Sequence, residues 1–204
     1  MRMKIKSPSV LAQFAANSIS IVGLLFFDWN IGDILIIFWV EAVIICFFTL
    51  VMMGMVERWK FIFKGPFVVF IFGYILIFLL AFVEGVSGEI TKELTGTYQQ
   101  RDYLQMAIGL LPAIASFFIS HGISFVLDFM GKHQYKSIDS SDIAAKFLRE
   151  LIPLGAASIT AVFIIAVFGN YVYLFVIALL VKIAFDMLVQ FEDKLRRGGI
   201  KNSW

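Results

Sequence analysis

Cysteine, histidine and charge are what this chain has least of. Cys46 is the only cysteine in 204 residues, so no internal disulfide can form. It lies in an apolar run, where a thiol is a small packing side chain rather than a reactive one. His121 and His133 are the only histidines, one in an apolar run and one in a polar connection; their spacing builds no metal site. Charged residues make up 16% of the chain, against about 25% in an average soluble domain. No G-x-S-x-G elbow, H-E-x-x-H zinc motif or P-loop is present. The sequence therefore implies no metal and no cofactor, and it carries no enzyme signature. It also lacks the basic, aromatic-interleaved surface that nucleic-acid binding needs.

What the chain has in abundance is apolar length. Hydrophobic residues reach 60%, with 23 phenylalanines, and several runs attain the ~20 residues that a bilayer-spanning helix requires. The reading is an all-α, polytopic integral membrane protein: one domain over residues 1–204, built as a six-helix bundle whose partner is the lipid bilayer. The spans fall near 7–27, 30–56, 65–84, 103–129, 143–168 and 170–190. The opening "MRMKIKSPSVLAQFAANSISIVGLLFF" has the basic head and apolar body of a signal peptide. Gln13 and Asn17 interrupt the apolar run, however, and no A-x-A-like site follows Phe27, so the segment reads as a retained first span. "DWN" at 28–30 and "GN" at 169–170 read as tight turns. Residues 85–102 form the one sizeable polar loop, and Ser141 or Asp142 suits the cap of the fifth helix.

Basic residues set the orientation. With the N-terminus inside, fourteen Lys and Arg fall on the inner face, from Arg2, Lys4 and Lys6 to Lys194, Arg196, Arg197 and Lys201. Only Lys92 and Arg101 fall outside, and Lys182 belongs to neither face. An excess of this sign places both termini in the cytoplasm and the protein in the cell (inner) membrane.

"ILIIFWVEAVIICFFTL", residues 34–50, holds one carboxylate, Glu41, in mid-run. By helical rise Glu41 and Lys182 each lie about 16 Å from the outer end of their spans, and Asn17 about 15 Å from the inner end of its own. All three approach the midplane, where an isolated charge costs at least ~2.5–3.5 kcal/mol and ionisable residues pair inside the bundle. Glu41 is thus expected against Lys182, with Asn17 as a third member and Asp186 one turn beyond Lys182 on the same face. A secondary polar tier comprises His121, Arg149, Ser120 and Ser124; Ser116, Ser120 and Ser124 form a small polar stripe that ends at Asp128. Pro112 and Pro153 are expected to kink the fourth and fifth spans. Each feature also has a plain structural meaning: a neutralised ion pair, a snorkelling Arg149 and Glu150, a hydrogen-bonding His121, a packing stripe.

Three pieces carry a resemblance. Trp39-Val40-Glu41 is like a Trp-x-Glu-Asn motif, Ser120-His121-Gly122-Ile123-Ser124-Phe125 like Ser-His-x-x-Ser-Phe, and Lys182 with Asp186 like Lys-x-x-x-Asp. In order and spacing they resemble the uncharacterised bacterial and archaeal membrane proteins grouped as domain of unknown function 6498. The resemblance implies a six-span membrane protein and supports the same polar positions, without supplying a reaction. Ala42 stands where that family has asparagine, no histidine follows Arg149, and Gln190 stands where a histidine is often found.

Two functional classes stay open. One is a small proton-linked carrier or permease of an unassigned small molecule or ion, with Glu41, Lys182, Asp186 and His121 along a hydrated path; its small size would make it a homodimer. The other is a non-catalytic scaffold or partner-binding subunit whose buried charges fix helix register. An intramembrane enzyme acting on lipid stands third.

Overall fold

The computed structural model describes residues 8–27, 29, 31–58, 61, 66, 69–70, 73–74, 77, 103–131, 133–136, 138–168 and 172–199. Helix α1 runs Pro8–Phe26, α2 Ile31–Glu57, α3 Tyr103–Ser124, α4 Ser140–Phe168 and α5 Val172–Gly199. Between α3 and α4 come a π-helical turn, Phe125–Met130, and a short 3-10 turn, Gln134–Lys136. Among the described residues the structure is helical and contains no strand. Most of the third expected span, most of the turn at 28–30, the turn at 169–170 and the polar loop 85–102 lie outside the described residues.

The burial pattern is that of a protein turned toward hydrocarbon. On α5, Leu179, Lys182, Ile183 and Asp186 are buried, while Leu180, Val181, Phe185 and Leu188 are exposed. On α1, Asn17 and Ser20 face inward and Leu11, Phe14, Val22 and Leu25 outward. Exposed apolar surface on this scale is unfavourable in water and marks a membrane or a partner. Among the described residues three helical stretches are long and apolar enough to cross a membrane: Pro8–Phe26, Gly32–Glu57 and Ile108–Met130.

α2 is the central helix. Its apolar residues occupy every face, so Ile34, Leu35, Ile37, Phe38, Ala42, Ile44 and Ile45 are all buried. α2 packs on α3 and α4, α1 packs on α3 and α5, and α4 packs on α5. α1 ends at a tight fit: a Cβ at Gly23 would overlap the Trp29 ring, and the Gly23 carbonyl accepts from the amides of Phe27 (3.0 Å) and Trp29 (3.3 Å). α2 ends at Arg58, whose φ of 50° lies in the left-handed region used to terminate helices.

Two boundaries differ from the sequence expectation. The fifth expected span begins at Ser140, three residues before its expected start at 143, and neither Ser141 nor Asp142 caps it. Asp139 does: its carboxylate accepts from the Ser140 amide (2.7 Å) and from the Ser141 hydroxyl (3.1 Å). The fourth span does not stay α-helical to residue 129. From Phe125 it widens to a π-turn, closed by the Gly131 amide on the Val126 carbonyl at 2.8 Å. Pro112 and Pro153 both sit inside continuous helices, the first exposed and the second buried.

Candidate functional site

Lys182 is held at the centre of a buried polar cluster to which three helices contribute hydrogen-bonding groups. Its Nζ donates to Glu41 Oε1 (3.1 Å) and Oε2 (3.0 Å) on α2, to Asp186 Oδ2 (2.9 Å) on α5 and to Asn17 Oδ1 (2.7 Å) on α1. Asn17 Nδ2 in turn donates to Asp186 Oδ2 at 3.1 Å. An ammonium has three donors, and here three residues accept them. The remaining faces are aromatic. Lys182 Nζ lies 5.4 Å from the ring centroid of Phe38 on α2 and 6.0 Å from that of Phe117 on α3, both within cation–π range.

Local sequence explains why these side chains converge. Lys182 and Asp186 are one helical turn apart, so both project from one face of α5. Asn17 lies on the inward stripe of α1, between Ala16 and Ser20. Glu41 occupies a face of α2 flanked by Phe38 and Ala42, both almost fully buried. The extensive contacts of α5 are with α4 and α1 rather than α2. It is the four-carbon stem of Lys182 that carries the ammonium across to Glu41. All four members are sealed: Glu41 is 2% exposed, Lys182 3%, Asn17 4% and Asp186 8%.

A second polar site lies one turn further along the bundle. A cavity of ≈ 30 Å³ is lined by Ile45, Phe48 and Thr49 of α2, by His121, Ser124 and Asp128 of the α3 segment, and by Lys146 and Glu150 of α4, among others. The His121 ring stacks on Phe48, centroids 6.5 Å apart at 24°, and its Nε2 is buried without a hydrogen-bond partner. Thr49 spends its hydroxyl proton on the Ile45 carbonyl at 2.8 Å. At the rim Lys146 pairs with Glu150 at 3.4 Å, both partly exposed.

Of the residues singled out in the sequence, Glu41, Lys182, Asp186 and Asn17 are therefore brought together. His121 and Ser124 go to the cavity. Ser120 is buried and its hydroxyl has no partner; Arg149 is half-buried on α4 and does not line the cavity. Sequence reasoning missed Phe38 and Phe117, which flank the ammonium. It also missed Thr49, although Thr49 lies two turns from Glu41 on the same helix. Among the described residues no group of three or more His, Cys, Asp or Glu is arranged to hold a metal ion.

Among the described residues, apolar helices of membrane-crossing length with buried charges turned inward and hydrocarbon side chains turned outward mark a membrane protein. The chain belongs to the family of unknown function DUF6498, whose model matches residues 1–201. No curated protein and no solved structure matches the chain.

Proposed function

We propose that this protein is a small proton-linked carrier, built as a single six-helix bundle in the cell membrane with both termini cytoplasmic, and that the Lys182 cluster is where the proton binds. Charge arithmetic carries this reading. Two carboxylates share one ammonium. With all three ionised, the cluster holds one surplus negative charge among residues at most 8% exposed. Such a surplus is costly in a medium that solvates charge poorly, and one proton on the carboxylate pair removes it. A cluster serving only to pin helices would be complete with Lys182 and a single carboxylate.

The hydrogen bonds divide the roles. Asp186 Oδ2 accepts from both Lys182 and Asn17, whereas Glu41 accepts from Lys182 alone. Glu41 is thus the carboxyl that takes the proton. Once neutral it releases the ammonium, which stays with Asp186 on its own helix and with Asn17 on α1. Ionised Glu41 ties α2 to α5; protonated Glu41 frees it. A carrier needs such a link between ligand binding and helix arrangement in order to change which side has access. A chain of 204 residues is small for a complete carrier, so the working unit here is a homodimer.

One observation favours a scaffold instead: the ammonium is fully satisfied and sealed by Phe38 and Phe117. Buried ionic groups of that kind can fix register without any transport. Infrared difference spectra of the purified protein across pH separate the two, together with gradient-driven uptake into proteoliposomes. The carrier gives a protonated-carboxyl band that disappears in a folded Glu41→Gln variant, along with pH-dependent uptake. A wild-type protein without a titrating carboxyl, or a Glu41→Gln variant that no longer folds, supports the scaffold.

A further inference from the structure

The cavity beside His121 has a place in this scheme. Its volume of ≈ 30 Å³ holds about two waters and is roughly a tenth of what a small organic ligand occupies. Its lining suits water: His121, Thr49, Ser124 and Asp128 supply polar atoms, and the Lys146–Glu150 pair closes the partly exposed end. The buried Nε2 of His121 has no protein partner, and a polar atom in that state calls for a ligand such as water. At the other end the cavity stops one helical turn short of the charged cluster. Ile45, on its wall, is one turn from Glu41, about 6 Å by helical rise. Phe117, beside the Lys182 ammonium, is one turn from His121. Ile45 and Phe117 are 3% and 1% exposed and belong to separate buried apolar clusters, so a turn of buried apolar side chains on each helix separates the two sites.

We infer that this cavity is a hydrated antechamber through which protons reach Glu41 from the cytoplasmic end of the bundle, with His121 as the relay that hands them across the buried apolar turn. The inference rests on the proton-binding reading of the cluster and gives that reading a direction. The ring accepts a proton from cavity water on one nitrogen and gives up a proton from the other, so its own charge is restored in each transfer. The charged groups around it are Asp128 on its own segment and Lys146 and Glu150 on α4, with Lys182 acting from α5. On α2 the cavity wall is Ile45, Phe48, Thr49 and Met52, with no charge. His121 is a positioning and relay residue, not part of the cluster that holds the proton.

Two measurements decide it. In a Cys46→Ser background, the thiols of Thr49→Cys and Ser124→Cys are tested for reaction with heavy water, S–H to S–D by infrared, with Ala113→Cys as the buried control. Both cavity positions are expected to react and the control to stay protected. After a pH jump, the Glu41 carboxyl band is expected to form about a hundredfold more slowly in His121→Ala. Its final amplitude should be unchanged, and added imidazole should restore the rate. His121→Gln, closer in shape, stands in should the alanine variant fail to fold, and is expected to be slow without rescue. Unreactive cysteines at 49 and 124 overturn the hydrated antechamber. A rate independent of His121 overturns the relay while leaving the proton-binding cluster intact. Absence of any titrating carboxyl in the wild type overturns both the cluster reading and the relay.

Discussion

Lys182 and Glu41 meet head-on, with the ammonium 3.0 and 3.1 Å from the two carboxylate oxygens, although they come from helices that share no extensive packing. The contact depends on side-chain reach, and the second carboxylate on the same ammonium, Asp186 at 2.9 Å, makes the charges unequal. That inequality orders the consequences of substitution.

Removing the cation should be far worse than removing either anion. Lys182→Met leaves two buried carboxylates facing each other and is expected to cost about 3–5 kcal/mol. Glu41→Gln and Asp186→Asn each leave a neutral pair and are expected to cost about 1 kcal/mol. Thermal unfolding in detergent gives the ranking directly. Equal losses for all three would show that charge balance is not what the cluster depends on.

Asn17 serves both signs at once, accepting from Lys182 at 2.7 Å and donating to Asp186 at 3.1 Å. Asn17→Leu, similar in volume, removes both bonds and is expected to cost about 1 kcal/mol, typical of hydrogen bonds between membrane helices. Asn17→Asp adds a third carboxylate and should be markedly worse than leucine. Expression and melting of the two variants side by side test this order.

Gly23 is fixed by space. A methyl group there meets the Trp29 ring, so Gly23→Ala is expected to destabilise by about 1–3 kcal/mol through overpacking. Trp29→Ala opens the room. The double variant should therefore be more stable than the sum of the single losses implies, which a double-mutant cycle on thermal unfolding measures.

Both termini are expected on the cytoplasmic side, because fourteen of the seventeen Lys and Arg fall on that face of a six-span arrangement. Reporter fusions that are active only in one compartment should give a cytoplasmic signal at either end. An exported signal at one terminus would change the number of spans to an odd one.

Much of this was legible in the residues themselves. Glu41, Lys182 and Asn17 stand out because each interrupts an apolar run near its middle, and the i, i+4 spacing of Lys182 and Asp186 sets them on one face. The first two helices fall within about a residue of their expected ends, since apolar length and flanking polar residues fix where a membrane helix stops. The start of α4 was misplaced because Asp139, Ser141 and Asp142 all suit a cap, and only the backbone shows which carboxylate meets the amide.

Periodicity and depth along a helix are one-dimensional quantities, and the chain by itself determined those: helical class, apolar length, inward-facing polar positions and the sign of each charge. Which helices become neighbours is a three-dimensional outcome. The tertiary structure alone decided that Phe38 and Phe117 flank the ammonium, that Asn17 bridges Lys182 and Asp186, and that His121 opens onto a cavity with Thr49 and Glu150. The physical reason is that these contacts join residues far apart in sequence, and packing between helices, not local propensity, sets their distances.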